Sequence, residues 1–287
     1  MDLKNIKKIA FQGAHGAYSD VACRTVFPTL ETVPCHAFED AFSAVNEGRA
    51  DLAMIPIDNT LAGRVADVHH LMPQGGLKII GEHFQPICHA LLGLKGATKD
   101  QLEHVHSHVH ALPQCKKVIK QLKLTGHVHA DTAGAAEKVS RLKDPSHGAI
   151  ASELAAEIYD LEILATNIQD EMHNTTRFLI LGPDLEIPDE SVQTISTLMF
   201  GVRNIPAALY KCLGGFATNG LDLSKLESYV DPNFQAARFF CDVEGHPESN
   251  GFKLALEELE FYASDVQHLG SYPAHAFRAH KGDSSIN

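Results

Sequence analysis

The chain has 287 residues, 44% of them hydrophobic, and a formal net charge of −12 at pH 7. That length suits two domains with separate cores, and so acidic a balance argues against a nucleic-acid partner. No stretch approaches ~18 uninterrupted apolar residues, so no membrane span is expected, and the polar opening at residues 1–8 lacks the apolar core of a signal peptide, which points to the cytoplasm.

The charge is uneven. Residues 1–183 carry 17 basic and 21 acidic side chains, a net −4, whereas residues 184–287 carry 7 and 15, a net −8. An anionic ligand would therefore depend on local positive charge in the first segment. The cysteines (Cys23, Cys35, Cys88, Cys115, Cys212 and Cys241) are scattered without a C-x-x-C pair. They read as free thiols in a reducing compartment and do not suggest zinc.

Residues 8–11 read as a first strand, entering Gln12-Gly13-Ala14-His15-Gly16-Ala17-Tyr18-Ser19 and then a helix over 20–26. A glycine turn between strand and helix exposes backbone N–H groups that favour an anion. The G-x-x-G spacing is not a dinucleotide fingerprint, and tight-turn glycines explain it equally. A strand at 32–35 and an amphipathic helix at 38–47 follow, closed by Gly48. Strand 52–56 then runs into Asp58-Asn59-Thr60, either a helix cap or a set of pocket donors.

After Gly75-Gly76, residues 77–80 and 83–92 read as strands, the second long enough to cross between lobes. In the stretch from His104 to Cys115, His104, His106, His108 and His110 alternate, so an extended segment would set them on one face. Neighbouring imidazoles suggest a metal, but no carboxylate or thiolate is spaced to complete a site. The alternative is a strand end, with Ser107 to Gln114 as a polar rim before a helix at 115–122. Strand 126–130 meets a helix start at Asp131-Thr132, with either residue as N-cap. Strand 149–152, helix 153–159 and strand 161–167 follow. This alternation predicts an α/β fold with a largely parallel sheet.

Asn174-Thr175-Thr176-Arg177 stands directly before the apolar run 178–181. Alone it reads as a turn with an arginine in solvent, or as polar groups at the mouth of a buried strand. It is the last of four polar strand ends, the pattern of a cleft rim in an open α/β fold. A Pro-containing polar linker at 182–191 marks a domain boundary. Beyond it strands at 193–202, 221–230, 236–243 and 266–272, with helices at 207–216 and 254–263, make a βαββαβ ferredoxin-like unit suited to regulation or dimerisation.

Taken together, these motifs resemble prephenate dehydratase of the two-domain kind, over nearly the whole chain. The resemblance rests on Phe11-Gln12-Gly13 with Gly16-Ala17-Tyr18-Ser19, Pro56-Ile57-Asp58-Asn59-Thr60 with Gly63, and His106-Ser107-His108 with Gln114-Cys115. It continues through Asp131-Thr132-Ala133, Asn174-Thr175-Thr176-Arg177-Phe178, Leu226-Glu227-Ser228 and Leu269-Gly270-Ser271-Tyr272-Pro273. It implies a catalytic domain over 1–183, two-lobed like a type II periplasmic binding protein, and an ACT regulatory domain over 192–280. It further implies a cytoplasmic homodimer or homotetramer that converts prephenate to phenylpyruvate, carbon dioxide and water without a cofactor or metal.

By the same resemblance Thr176 assists the departing hydroxyl and Asn59 and Gln114 act on the substrate, with Ser107, Thr132, Thr60, Ser19 and Thr175 as further contacts. Arg177 either pairs with a substrate carboxylate or braces the loop. L-phenylalanine is the implied effector, at Ala208, Leu209, Glu227 and Ser228. Here the chain departs from the family pattern: Ala207 replaces a usual glycine, and Glu227-Ser228-Tyr229-Val230 lacks the usual arginine. Arogenate as substrate, or a two-lobed sensor without catalysis, are the alternatives.

Overall fold

The computed structural model describes residues 6–65, 68–183, 186–203, 205–230 and 236–282. Residues 1–5 of the polar start and residues 184–185 of the linker lie outside them. By compactness the chain forms two units, residues 2–69 with 83–178, and residues 70–82 with 179–287.

The first lobe begins with β1 (Lys8–Gln12), α1 (Tyr18–Val26), β2 (Glu31–Cys35), α2 (Phe38–Asn46), β3 (Leu52–Asn59), β4 (Gly63–Arg64) and α3 (Val68–Leu71). β5 (Lys78–Pro86) ends at the crossing. The second lobe contains β6 (Ala90–Gly93), β7 (His104–His108), α4 (Lys116–Gln121), β8 (Thr125–His129), α5 (Thr132–Leu142), β9 (His147–Ala151), α6 (Glu153–Ile158) and β10 (Glu162–Ala165), and β11 (Thr175–Gly182) re-enters the first sheet.

The two sheets share one plan. The first runs β2-β1-β3-β11-β5, with β4 on β3, and the second runs β10-β6-β9-β7-β8. In the first, β1 lies between β2 and β3 and the re-entering β11 lies beyond β3; in the second, β7 lies between β8 and β9 and the entering β6 lies beyond β9. β1 is parallel to β2 and β3, and β7 is parallel to β8 and β9. This is the two-lobed, periplasmic-binding-protein-like architecture expected above.

Local chemistry explains the departures from the expected boundaries. Residues 83–92 are not one strand: after β5 the chain breaks, and the His89 N–H bonds Gln169 Oε1 at 2.9 Å instead of a neighbouring strand. The helix expected from residue 115 begins with a 3-10 turn at Leu112–Cys115, with Pro113 in its first turn, where its missing N–H is tolerated. Asp131, not Thr132, caps α5, its Oδ1 accepting the Gly134 N–H at 2.6 Å.

Gly16 has two reasons to be glycine. Its φ is +87°, and an added Cβ would lie 2.8 Å from Ala155 Cα. Ser152 Oγ donates to the Gly16 carbonyl at 2.5 Å, and the Tyr159 hydroxyl donates to the His15 carbonyl at 2.9 Å. The α1 turn is thus seated on α6, with Ala17 in the same apolar cluster as Ala133, Ala151 and Ala155.

The other unit carries β12 (Thr194–Val202), α7 (Ala208–Thr218), β13 (Asp222–Val230), β14 (Ala236–Glu244), α8 (Asn250–Tyr262) and β15 (Ala263–Pro273). The order βαββαβ and the antiparallel sheet β13-β14-β12-β15 match the expected ferredoxin-like module. α8 starts four residues earlier than the pattern suggested because Ser249 Oγ accepts the Phe252 N–H, which caps it. Leu198, Phe200, Phe216, Phe239 and Phe252 build its core. Gly270 leaves no room for a Cβ against the Ile79 backbone carbonyl, which accounts for the glycine in Leu269-Gly270-Ser271.

A buried ion pair fastens the C-terminal segment to residue 82 of the same unit. Arg278 Nε and Nη2 reach the two Glu82 carboxylate oxygens at 2.6 and 2.8 Å, and Nη1 donates to Ser224 Oγ at 2.8 Å. The Glu82 side chain is fully buried, while that of Arg278 keeps 11% exposure. Arg278→Leu should lower unfolding stability by roughly 2–3 kcal/mol, below the ~3–5 of a fully buried pair because the guanidinium retains some water. Denaturant titration of the variant checks this; an unchanged midpoint would mean that the pair contributes nothing net.

On the second sheet, the alternation of β7 and the register β8-β7-β9 bring four imidazoles together. His106 Nε2 lies 2.8 Å from His147 Nδ1, and His127 Nε2 lies 3.1 Å from His104 Nδ1. The rings pair with one another, and among the described residues no three His, Cys, Asp or Glu side chains are placed to hold a metal ion.

Burial, then the charge of Lys138 and the neighbouring imidazoles, pushes the His106 pKa down from 6.5 to about 4. The folded chain therefore binds fewer protons here than the unfolded chain between those values, so stability is full above pH ~6.5 and declines toward pH ~4. The thermal midpoint should fall across that window, and His106→Leu should flatten the slope. A wild-type slope retained in the variant would locate the acid sensitivity elsewhere.

Candidate active site

A cavity of about 720 Å³ opens between the two lobes, both within residues 2–69 and 83–178. It is lined from the first lobe by Gln12, Tyr18, Ser19, Phe38, Asn59 and Arg64, and from the second by His108, His110, Asp131 and Thr132. Its size falls in the range of small-molecule sites, and it lies at the ends of strands where small polar residues replace the apolar run. Among the described residues Arg64 is the only Arg or Lys of the lining, which also includes Glu39 and Asp131.

Behind this lining lies a network of side-chain amides. Asn59 ends β3, and its Oδ1 accepts the N–H groups of Leu61 and Ala62 at 2.9 and 2.8 Å. Its Nδ2 donates to Thr176 Oγ1 at 2.9 Å and to Asn174 Oδ1 at 2.8 Å. Asn174, buried, donates from Nδ2 to Gln114 Oε1 at 2.8 Å, and the same oxygen lies 2.9 Å from His89 Nε2. His89 Nδ1 lies 2.8 Å from the Tyr18 hydroxyl. Burial lowers the His89 pKa and raises that of Tyr18 well above its ordinary value. Both groups are therefore neutral at pH 7.

The site residues expected from sequence fall into three groups. Thr176, Asn59 and Gln114 meet in this network, and Ser19 and Thr132 line the cavity. Thr60 and Thr175 brace the loop: Thr60 Oγ1 donates to the His173 carbonyl at 2.9 Å and accepts the Thr175 N–H at 3.0 Å. Ser107, next in the chain to the cavity-lining His108, is fully buried, and its hydroxyl donates to the Ile150 carbonyl at 2.6 Å. Arg177 is also buried, its guanidinium carbon 6.0 Å from the Phe84 ring centroid.

Sequence reasoning missed Asn174, His89, Tyr18 and Arg64 as members of the site. Asn174 opened the polar stretch singled out above, and a histidine ahead of the apolar strand at residues 90–93 was a visible anomaly at His89. His108 and His110, read as a rim, do line the cavity. His108 is held below its ordinary pKa by burial and then by His110.

In the second unit Ala208 and Leu209 begin α7, Ala208 buried and Leu209 packed against the module's core. Ala207, at the cap before them, has φ +61°, a left-handed conformation that glycine enters without a Cβ clash. Glu227 and Ser228 are consecutive in β13 and so face opposite sides; the Tyr229 hydroxyl donates to Glu227 at 3.0 Å.

Fold and site together define a two-lobed α/β enzyme with a polar, amide-lined cleft, joined to a ferredoxin-like module. The prephenate dehydratase family profile matches residues 9–185. The chain belongs to the prephenate dehydratase family, whose members are lyases. It is 47% identical over 94% of its length, and 97% of the relative's, to a bifunctional N-acyl-homoserine lactone acylase/prephenate dehydratase of Komagataeibacter europaeus. It is 38% identical to arogenate dehydratase/prephenate dehydratase 1, chloroplastic, of Arabidopsis thaliana, over 93% of this chain and 72% of that one. The solved prephenate dehydratase of Arthrobacter aurescens in complex with L-Phe superposes with a TM-score of 0.85 at 26% identity, over 93% of this chain and 90% of that one.

Proposed function

We propose that the protein catalyses the decarboxylating dehydration of prephenate to phenylpyruvate, carbon dioxide and water. Residues 1–183 would carry the catalysis and residues 192–280 the regulation. As the ring carboxylate leaves as carbon dioxide, its bonding pair enters the ring and the C–O pair departs with the hydroxyl, which takes a proton to become water. Aromatisation drives the step, so the protein has only to orient the substrate and stabilise the departing oxygen. The observation that carries this reading is the Thr176 contact: its oxygen accepts from Asn59 Nδ2, which leaves its own proton to donate. Arg64 supplies the cation of the lining for a substrate carboxylate, and buried Arg177 braces β11.

Incubating the purified protein with prephenate and following phenylpyruvate absorbance tests the proposal. No turnover by folded protein on prephenate or arogenate would overturn it, and the ratio of the two rates assigns the substrate. The Arthrobacter relative was solved with L-Phe, and on that likeness we assign L-phenylalanine as effector at Ala208, Leu209, Glu227 and Ser228 of a homodimer or homotetramer. Added phenylalanine should slow turnover; unchanged rates would remove it.

A second reading follows from the Komagataeibacter relative, similar over almost the full length of both chains. The protein would also hydrolyse an N-acyl-homoserine lactone, water adding across the amide to release fatty acid and homoserine lactone. Fatty acid release measured on the same preparation decides this; none from protein active on prephenate rejects it.

A further inference from the structure

Side-chain amides are directional, with one end only accepting and the other only donating. The network in the cleft can therefore be read from its Asn59 end. Backbone N–H groups of Leu61 and Ala62 cannot accept, so the atom of Asn59 that they meet is its oxygen. Its nitrogen then faces Asn174, whose oxygen accepts and whose nitrogen must donate onward, to Gln114 Oε1. Gln114 thus turns its oxygen inward, and His89 Nε2, 2.9 Å from that oxygen, has to carry hydrogen. The buried, neutral imidazole is then bare at Nδ1, 2.8 Å from a Tyr18 hydroxyl whose single proton is shared between that nitrogen and the Cys88 carbonyl, also at 2.8 Å. With both Asn174 and His89 on the oxygen, the Gln114 amide NH2 is turned away from them and left to donate.

We propose that His89, as its Nε2–H tautomer seated on Tyr18, is a positioning residue that locks Gln114 with its NH2 presented to an oxygen of the substrate. The inference rests on the dehydratase reading for its effect on rate, but not for the tautomer. His89 touches no reacting atom; it prevents the half-rotation of Gln114 that would turn an acceptor toward an anionic ligand. A neutral hydrogen bond lost at such a point is expected to change binding and turnover by about tenfold.

The tautomer is read directly from the nitrogen-15 shifts of His89 in the folded wild type near pH 7, assigned by comparison with His89→Gln. Hydrogen on Nε2 is expected, and hydrogen on Nδ1 alone overturns the proposal whatever the activity. Two variants then separate positioning from packing. His89→Gln sets an amide nitrogen near the Nε2 position and should keep kcat/KM for prephenate within about threefold. His89→Asn is too short to reach Gln114 and should lose about tenfold at an unchanged thermal midpoint. Equal activity of the two overturns the role. If His89→Asn does not fold, the tautomer decides. A wild type inactive on prephenate would sink the proposed function and leave the tautomer measurement standing.

Discussion

Thr176→Ala should lower turnover of prephenate by at least ~10²-fold, the lower range for loss of a donor to a developing charge. The substitution removes a hydroxyl and a methyl from a half-buried position at the start of β11, so the fold should survive it. What is lost is specific. The Thr176 oxygen already accepts from Asn59, a bond that draws electron density from the hydroxyl and aims its proton away from the amide. Alanine leaves Asn59 Nδ2 to Asn174 Oδ1 and the more distant Thr175 carbonyl, and the departing oxygen short of its donor. KM should change far less than kcat, because the hydroxyl acts on charge that appears only as the C–O bond breaks. Thr176→Ser should retain much of the activity. Steady-state kinetics on prephenate check all three statements, and near-normal turnover of the alanine variant would remove Thr176 from the mechanism.

Asn59→Asp should be nearly as damaging, by ~10²-fold or more, although it replaces one NH2 by oxygen without changing shape. An ionised aspartate has no proton to donate. It would still accept the Leu61 and Ala62 N–H groups, so β3 and its turn should hold. Its second oxygen, however, would face Thr176 Oγ1 and Asn174 Oδ1, both of which accept from Asn59 in the wild type. Thr176 would answer by donating to the aspartate, and the proton meant for the leaving hydroxyl would point into the protein. An added anion beside the cleft would also repel a dicarboxylate substrate. The expected result is a large fall in kcat/KM with a modest fall in thermal midpoint. Activity within tenfold of wild type would show that the direction of the Asn59 amide does not matter.

Much of the architecture was legible because it depends on periodicity. Apolar strands of four to nine residues alternating with amphipathic helices indicate a parallel α/β core, and the order of strands and helices after residue 192 indicates the ferredoxin-like unit. Boundaries slipped where a side chain intervened: Ser249 starts α8 early, and Gln169 takes the His89 N–H that would have continued a strand. The chemistry of the cleft was partly legible. The polar strand ends at Asn59, Thr132 and Thr176 could be marked, because a strand of apolar residues ending in small polar ones has few other uses.

Which of those polar residues meet was not legible. Asn59 and Asn174 are 115 positions apart, and Asn174 and Gln114 are 60 apart. Local spacing carries no information about contacts made by a chain that crosses between lobes and returns. Ser107, a contact implied by the resemblance, and Arg177, a carboxylate partner or a loop brace, are both buried. Arg64, which no sequence signal set apart, lines the cavity.

By itself the sequence determined the fold class, the order of elements and the family pattern that sets Asn59, Gln114 and Thr176 apart. These are properties of short segments, decided by side-chain period, turn chemistry and residue type. Only the tertiary structure decided the direction of the hydrogen bonds that join them, because that direction starts from two backbone N–H groups beside Asn59 and passes through residues brought together by folding. A threonine in sequence can donate or accept; with Asn59 Nδ2 already on its oxygen, Thr176 has its proton left to give.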